Sequence, residues 1–570
     1  MPAEAGRRDH ALAPRTASKL VTLVLLVLVL GPLLVLIHLS LLPAGSLPLS
    51  AAPLGLQNYV RAFHGSETLL LVRNTLWYAG GSVIVAVSVA TALAWLCERT
   101  DLPFRALVHT LMFSWMAVPP LVMAFGWILL LNPNNGALNL ALQSLLGLEH
   151  SPLSIYSIWA MIAITGLSLV PTTFVMVGNL LRNMDPQLEN AATVSGASRL
   201  TVIRRITVPL LSPGLLSIAI YLFMVMVQAF DVPLAIGLTA RVPVLSTRIF
   251  VLSSAEDGLP SYGLAAALGV VLMLIAMALM TGYFRAVRTG ERFRVVTGKA
   301  FRPRRLSLGR LRGPLTALVA GYFALMFLPL LMLLWTSLLP FYQTPSLSAL
   351  ATIDLHNYDA VLATPLVQQA LLNTVILVLC SATLVMLLAG LVSWFCVRGR
   401  GRWTRWLEML AFAPVAVPNI VIAMAIGMLY LRTPLYGSVA ILVLAHVSIY
   451  IAFGTRTLTA ALLQIHEELE NAAIVSGASW LTTLRRIVLP LLWPQFLNGW
   501  LWVVAHSARD LTVPLMLMST GNIVVSSLLW LMWEHPDIPG AAALAILNVV
   551  VLMGLVLTVR ALGLRGESIR

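Results

Sequence analysis

One polar segment occurs twice in this chain. Residues 188–213 read LENAATVSGASRLTVIRRITVPLLSP and residues 469–494 read LENAAIVSGASWLTTLRRIVLPLLWP; nineteen of the 26 aligned positions are identical, at an offset of 281 (470 − 189). A chain that repeats a segment this closely is expected to build two equivalent halves and to place the segment in the same setting in each. Both copies are polar islands between long apolar runs, the pattern of an element kept to touch something in the aqueous phase beside a membrane.

The apolar runs set the fold class. The 570 residues are 59% hydrophobic and 10% charged, where a soluble domain carries about 25% charge. A span needs about 20 apolar residues. Twelve runs qualify, near 20–42, 70–96, 107–131, 155–181, 206–230, 264–284, 315–338, 371–396, 407–431, 436–460, 487–508 and 541–563. The expectation is an all-α, polytopic membrane protein of about twelve transmembrane helices, arranged as two tandem parallel six-helix repeats. The first run follows Arg7, Arg8, Arg15 and Lys19 and precedes Ala44-Gly45-Ser46, as in a signal peptide. Because 315–338 opens the second half in the same way, the first run is read as an uncleaved span.

A net charge of +14 does not point to nucleic acid, because the basic residues sit in short loops, where they set orientation. Residues 285–312 hold ten Lys or Arg, whereas 132–154 hold none. Both termini, the polar segments and the linker then fall on the cytoplasmic side, and the domains are expected as 1–284, a basic linker 285–314, and 315–570. Cys97, Cys380 and Cys396 lie in or beside apolar spans and imply neither a disulfide framework nor a metal site.

The duplication extends beyond the polar segment. Asn58-Tyr59, Asn74-Thr75, Trp95/Cys97/Arg99 and Ala117-Val118-Pro119 recur as Asn357-Tyr358, Asn373-Thr374, Trp394/Cys396/Arg398 and Ala416-Val417-Pro418 at an offset of 299 (418 − 119). The first half is therefore longer by 18 residues (299 − 281), near 131–155, on the outer face. That asymmetry is expected to meet one asymmetric outer partner. Tandem parallel halves make a pseudo-dimer about the membrane normal.

Within the polar segment, Glu189, Ala192 and Gly196 are spaced to share one helical face, as are Glu470, Ala473 and Gly477. The small residues permit close approach, and each Gly permits a sharp turn. Arg204-Arg205 and Arg485-Arg486 follow at the inner interface, with Pro209 and Pro490 where the next span begins. The alternative, a surface helix that merely joins two spans, leaves the near-identity of the copies without a reason.

The pattern Glu189-Asn190-Ala191-Ala192, Gly196, Ile206 and Pro209, with its second copy Glu470-Asn471-Ala472-Ala473, Gly477, Ile487 and Leu489-Pro490, resembles the signature loop of permease subunits of bacterial ABC importers. The resemblance covers residues 20–565 and is nearest to the fused ferric-iron, thiamine and phosphonate permeases. Asn after the Glu and Val208 before Pro209 are mild departures from the common pattern. The resemblance implies a bacterial inner-membrane permease that moves a solute, ferric iron or a small anion, with polyamines a remoter alternative. It implies coupling helices at 188–200 and 469–481, built on Glu189, Ala191, Ala192, Gly196, Glu470, Ala472, Ala473 and Gly477, seated on two cytoplasmic ABC ATPase subunits. The repeated Glu is expected to meet a basic residue or backbone N–H of the ATPase. A periplasmic or lipid-anchored solute-binding protein is the implied outer partner, and membrane lipids surround the bundle.

No phosphate-cradling G-x-x-x-x-G-K-[ST] loop is present, so the permease is expected to be non-catalytic, without cofactors of its own, with ATP bound by partner subunits. A secondary transporter or an integral membrane enzyme are readings of a different class, and neither accounts for the repeated polar segment. Ionisable residues at span ends are candidates for the translocation path: Asp231 after span five, and His506, Arg509 and Asp510 after span eleven. Arg509 and Asp510 also admit a self-neutralising pair, and Asp231 a solvated helix end. His38 and His446 are read as packing residues, and Met224, Met226, Met516 and Met518 as apolar filling.

Overall fold

Backbone amides inside hydrocarbon must bond within their own segment, and each apolar run accordingly winds into a helix. The computed structural model describes residues 15–43, 45–46, 50, 52–184, 187–254, 260–291, 306–399, 402–535 and 537–567. Among the described residues ten helices are long and apolar enough to cross a membrane: Ser18–Leu41, Glu67–Arg99, Ile158–Arg182, Arg204–Val227, Tyr262–Tyr283, Gly309–Ser337, Pro365–Arg398, Val439–Leu462, Leu481–Arg509 and Ile538–Thr558. Most of the expected linker, 292–305, lies outside the described residues.

The remaining two expected spans are broken. Arg105–Trp115 meets Pro120–Leu131 at 100°, and Arg402–Ala416 meets Asn419–Tyr430 at 108°. The cause sits in the motif that the halves share. Pro119 and Pro418 take extended backbone, with ψ of 137° and 140°. A proline offers no N–H to the preceding turn and pushes its predecessor out of the helical region. The runs 107–131 and 407–431 are thus bent pairs of helices, and the count among the described residues is ten spans, or twelve if each pair crosses as one.

The chain forms two compact units. One holds 62–251, 274–365 and 529–570, and the other holds 1–61, 252–273 and 366–528. The sequence repeats therefore divide the chain differently from its spatial clusters. The middle of the first half gathers with the first and last helices of the second, and the middle of the second half gathers with the first helix of the first.

In the unit that holds 62–251, the helix Glu67–Arg99 packs on Ile158–Arg182 along Ala79, Ala86, Ala90 and Ala94, all fully buried. A Cβ at Gly166 would lie 2.6 Å from that of Val85, and one at Gly81 would lie 2.7 Å from Ile162. Without a hydrophobic drive between helices in lipid, such close backbone approach supplies the packing. Gly126 meets the carbonyl of Pro329 in the same way. In the other unit a Gly454 Cβ would lie 2.9 Å from that of Ala389, and Gly31 faces Leu429. Large apolar side chains such as Leu34, Leu69, Ile84 and Leu372 point outward, as a lipid-facing surface requires.

The matched Asn and Thr residues prove to be clips. Asn58 Nδ2 donates to the carbonyls of Ser40 and Leu42, and Asn357 Nδ2 to those of Ser337 and Leu339. Asn74 and Asn373 hold the carbonyls of Pro243 and Ile523, while Thr75 and Thr374 accept from the amides of Leu245 and Val525. Each set closes a helix end inside its own unit.

Candidate functional site

Each polar segment begins as a short helix, Gln187–Val194 in one unit and Glu467–Val475 in the other. Neither continues to residue 200 or 481. Gly196 and Gly477 both have φ of +83°, a left-handed conformation that glycine adopts without Cβ strain. The amides of Ala197 and Ala478 reach back to the carbonyls of Ala192 and Ala473 at 3.0 Å, the bond that closes a helix whose cap is left-handed. Ser198 and Ser479 then cap the next turn, accepting from the amides of Thr201 and Thr482. Gly196 and Gly477 are thus turn residues and not part of the helical face that the spacing implied.

The two carboxylates face inward. Glu189 Oε2 lies 3.0 Å from Arg99 Nη1, and Thr207 donates to Oε1 at 2.7 Å. Arg99 also donates from Nη2 to the carbonyl of Leu181. In the second copy Arg398 Nε donates to Glu470 at 2.8 Å and Nη2 to the carbonyl of Ile465, with Glu467 3.6 Å from Nη1. Glu189 and Glu470 therefore tie their helices to the ends of Glu67–Arg99 and Pro365–Arg398. The desolvation that burial imposes on such charges is offset only when they are paired and hydrogen-bonded, and here both conditions hold.

What faces outward is small and apolar. Val194 is 89% exposed and Val475 82%. Ala191, Ser195, Gly196 and Ser198 are exposed beside Val194, as are Ala472, Ser476, Gly477 and Ser479 beside Val475, while Ala192 and Ala473 are half-buried. Arg204-Arg205 and Arg485-Arg486 are exposed within π-helical turns, Ile203–Thr207 and Leu484–Val488, that precede the next span. The chemistry available is that of a knob for a groove: no nucleophile, and an apolar tip on a pinned helix.

The outer candidates divide. Asp231 is half-buried just before the turn Pro233–Gly237. In the other unit His506, Arg509 and Asp510 end the helix Leu489–Arg509. Asp510 Oδ2 lies 3.4 Å from Nε2 of the fully buried His446 and accepts from the amide of Val513. The Nδ1–H of His446 donates to the carbonyl of Leu442, and its Nε2 makes no hydrogen bond. His446, read from the sequence as packing, belongs to a polar pair. His506 stacks on Trp502 with centroids 3.6 Å apart, and Phe453 stacks on the same indole. Among the described residues no three His, Cys, Asp or Glu side chains converge as metal ligands.

The extra outer residues fold into the helix Ala137–Leu146, fastened by Asn139, whose Nδ2 donates to the carbonyls of Leu131, Asn132 and Leu153. Tyr342 donates to the carbonyls of Leu129 and Asn135, and burial pushes its hydroxyl up to about 12.

Sequence reasoning missed Arg99 and Arg398 as anchors. They were visible in the matched Trp-x-Cys-x-Arg motif, where they served only to orient the chain. Thr207 gave no signal, since its repeat position is Val488.

A sequence model described as binding-protein-dependent transport system inner membrane component matches residues 81–289 and again 386–563. The Fe(3+)-transport system permease protein FbpB 2 of Haemophilus influenzae is 23% identical over 88% of this chain and 91% of its own length. The ferric transport system permease protein FbpB of Actinobacillus pleuropneumoniae is 24% identical over 88% and 72%. The putative 2-aminoethylphosphonate transport system permease protein PhnV of Salmonella typhimurium is 28% identical over 30% of this chain and 65% of its own.

Proposed function

The chain belongs to the family of binding-protein-dependent transport system inner membrane components, and on that premise we propose that it is a two-half permease of an ATP-driven importer. Two ATPase subunits seat the exposed tips around Val194 and Val475. Movement of the ATPases passes through Glu189–Arg99 and Glu470–Arg398 to the ends of two long spans, which carry the bundle between inward and outward access. The chain performs no chemistry of its own in this reading, and ATP stays with the partner subunits.

The observation that carries the proposal is the pair of pinned helices, with the same left-handed glycine turn, the same serine cap and the same outward valine. Both termini and the linker lie on the cytoplasmic side, in keeping with the arginine distribution. A solute-binding protein delivers cargo to the outer loops, among them the helix Ala137–Leu146. Ferric iron is the cargo favoured by likeness to the two ferric-transport permeases, each matched over 88% of this chain. The phosphonate relative covers a single segment, and it keeps a small anion as the second reading.

The test is reconstitution of the permease with its ATPase and a ferric-loaded binding protein in proteoliposomes. Val194→Asp with Val475→Asp is expected to abolish radiolabelled iron uptake and co-purification of the ATPase, with membrane insertion intact. Retention of the ATPase by that variant would overturn the docking assignment. Uptake of a phosphonate and no iron would overturn the cargo alone.

A further inference from the structure

In the unit that holds 62–251 and 274–365, the chain re-enters the membrane beside the end of Glu67–Arg99. The amide of Leu306 donates to the carbonyl of Arg99, the amide of Asp101 to that of Leu306, and Asp101 Oδ1 accepts from the amide of Leu308. This clip fixes the start of the helix Arg312–Ser337 against the turn at Pro103. Between them runs a groove of about 590 Å³, lined by Pro103, Arg312, Gly313, Thr316, Ala317 and Ala320 and almost wholly apolar.

Arg312 stands in its lining, Arg310 precedes it by two residues, and Arg105 follows Pro103 by two. Among the described residues none of the three forms an ion pair. The flanks are apolar and exposed at Phe104, Leu107, Leu311 and Leu318, so the groove opens toward hydrocarbon and its charged end toward the headgroup layer.

We infer that this groove is a binding site for one anionic phospholipid, its phosphate on Arg310 and Arg312 and an acyl chain along Gly313–Ala320. Unpaired cations at the inner interface attract anionic headgroups, and a slot floored by Gly313, Ala317 and Ala320 leaves room for a methylene chain. The site adjoins the turn whose Arg99 holds Glu189, yet the inference does not depend on the transport reading, since binding alone tests it.

The experiment is native mass spectrometry of the delipidated full-length protein in detergent, titrated with phosphatidylglycerol, phosphatidylcholine and inorganic phosphate. Phosphatidylglycerol is expected to bind about tenfold or more tightly than phosphatidylcholine, with inorganic phosphate unable to displace it. Arg310→Gln with Arg312→Gln should erase the preference and keep phosphatidylcholine binding, which also reports that the protein is folded. Ala317→Leu, at an exposed position, should weaken both lipids. Neutralising Arg288, Arg292, Arg294 and Lys299 should change neither. Equal binding of the two lipids would overturn the inference. So would displacement by inorganic phosphate, or a preference that survives the Arg310/Arg312 variant and disappears with the linker variant.

Discussion

Removing one partner of the buried ion pair in each half should give results that differ in order. In the first copy Arg99 is the deeper group, with its side chain 4% exposed against 19% for Glu189. Arg99 Nε already lacks a partner. Glu189→Ala leaves that guanidinium buried with one carbonyl, whereas Arg99→Ala leaves a carboxylate that keeps Thr207 and more water. In the second copy the exposures are alike, 10% and 11%, but Glu467 lies 3.6 Å from Arg398. Glu470→Ala therefore keeps a carboxylate beside the guanidinium and should fall at the lower end of the range, with Arg398→Ala at the upper. Breaking a buried pair from one side costs about 3–5 kcal/mol. Partial exposure lowers this to about 2–3 kcal/mol for Arg99→Ala, Arg398→Ala and Glu470→Ala, and leaves Glu189→Ala at about 3–4 kcal/mol.

This cost falls on the seat of the short helix, because the long spans keep their own packing. At about 1.4 kcal/mol per factor of ten, 3 kcal/mol raises the released population of the helix roughly 150-fold. Hydrogen exchange of amides 189–197 and 470–478 reads that population directly, with uptake in proteoliposomes as the functional measure. A double-mutant cycle on Arg398 and Glu470 should give a coupling energy of about 1–3 kcal/mol. Equal exchange in Glu189→Ala and Arg99→Ala, or exchange unchanged from the parent protein in both, would refute the assignment of these pairs as the tether.

Four further outcomes follow from the geometry. Gly196→Ala should cost about 1–2 kcal/mol through its φ of +83°, and Gly196→Leu no more, since a Cβ there meets nothing within 4 Å; uptake that falls only for Leu would mark a partner's groove, with amide exchange reporting the turn. Gly166→Ala drives a Cβ to 2.6 Å from that of Val85 and should lower stability by about 1–3 kcal/mol, read as a melting shift in detergent. Asp510→Asn should keep the cap on Val513 and lose the charge beside His446, whereas Asp510→Ala loses both and about 1 kcal/mol more; thermal melts of the two variants separate these effects. Tyr342→Phe should loosen the outer helix by about 1–2 kcal/mol, seen as faster proteolysis within 132–157. The Tyr342 hydroxyl is raised from 10.0 to about 12, so its contribution is full below pH 10 and is lost as pH rises toward 12.

Much of the fold was legible because a membrane leaves few options. Apolar length alone located the ten long spans found among the described residues, and the doubled motifs pointed to the repeat that the family model matches twice. The errors arose where one residue type carries two meanings. Pro119 and Pro418 were seen as markers of duplication and passed over as breakers, although Ala-Val-Pro in mid-run is where a helix must fail. Gly196 and Gly477 were placed on a helical face as well as read as turn residues, and the turn is what their φ of +83° supports. The regrouping of end helices between the units left no trace in the sequence, since one lipid-facing leucine stripe resembles another. The His446–Asp510 pair was hidden for a related reason: the partners lie 64 residues apart (510 − 446) and the first half offers no counterpart, with Thr165 at the position of His446.

That missing counterpart sharpens the division of labour along the chain. In the repeated polar segments the two copies agree in cap, in turn and in tying the carboxylate to an arginine, and they differ in the further partners, Thr207 on Glu189 in one and Glu467 beside Arg398 in the other. On the outer side they agree in little beyond the Asn and Thr clips. The first half adds the helix Ala137–Leu146, and the second adds His446, Trp502, His506 and Asp510. Two identical partners require identical seats, and a single partner or cargo imposes no such symmetry. Likeness is concentrated at residues 187–207 and 467–488, and unlikeness at Ala137–Leu146 in one unit and at Asp510 in the other.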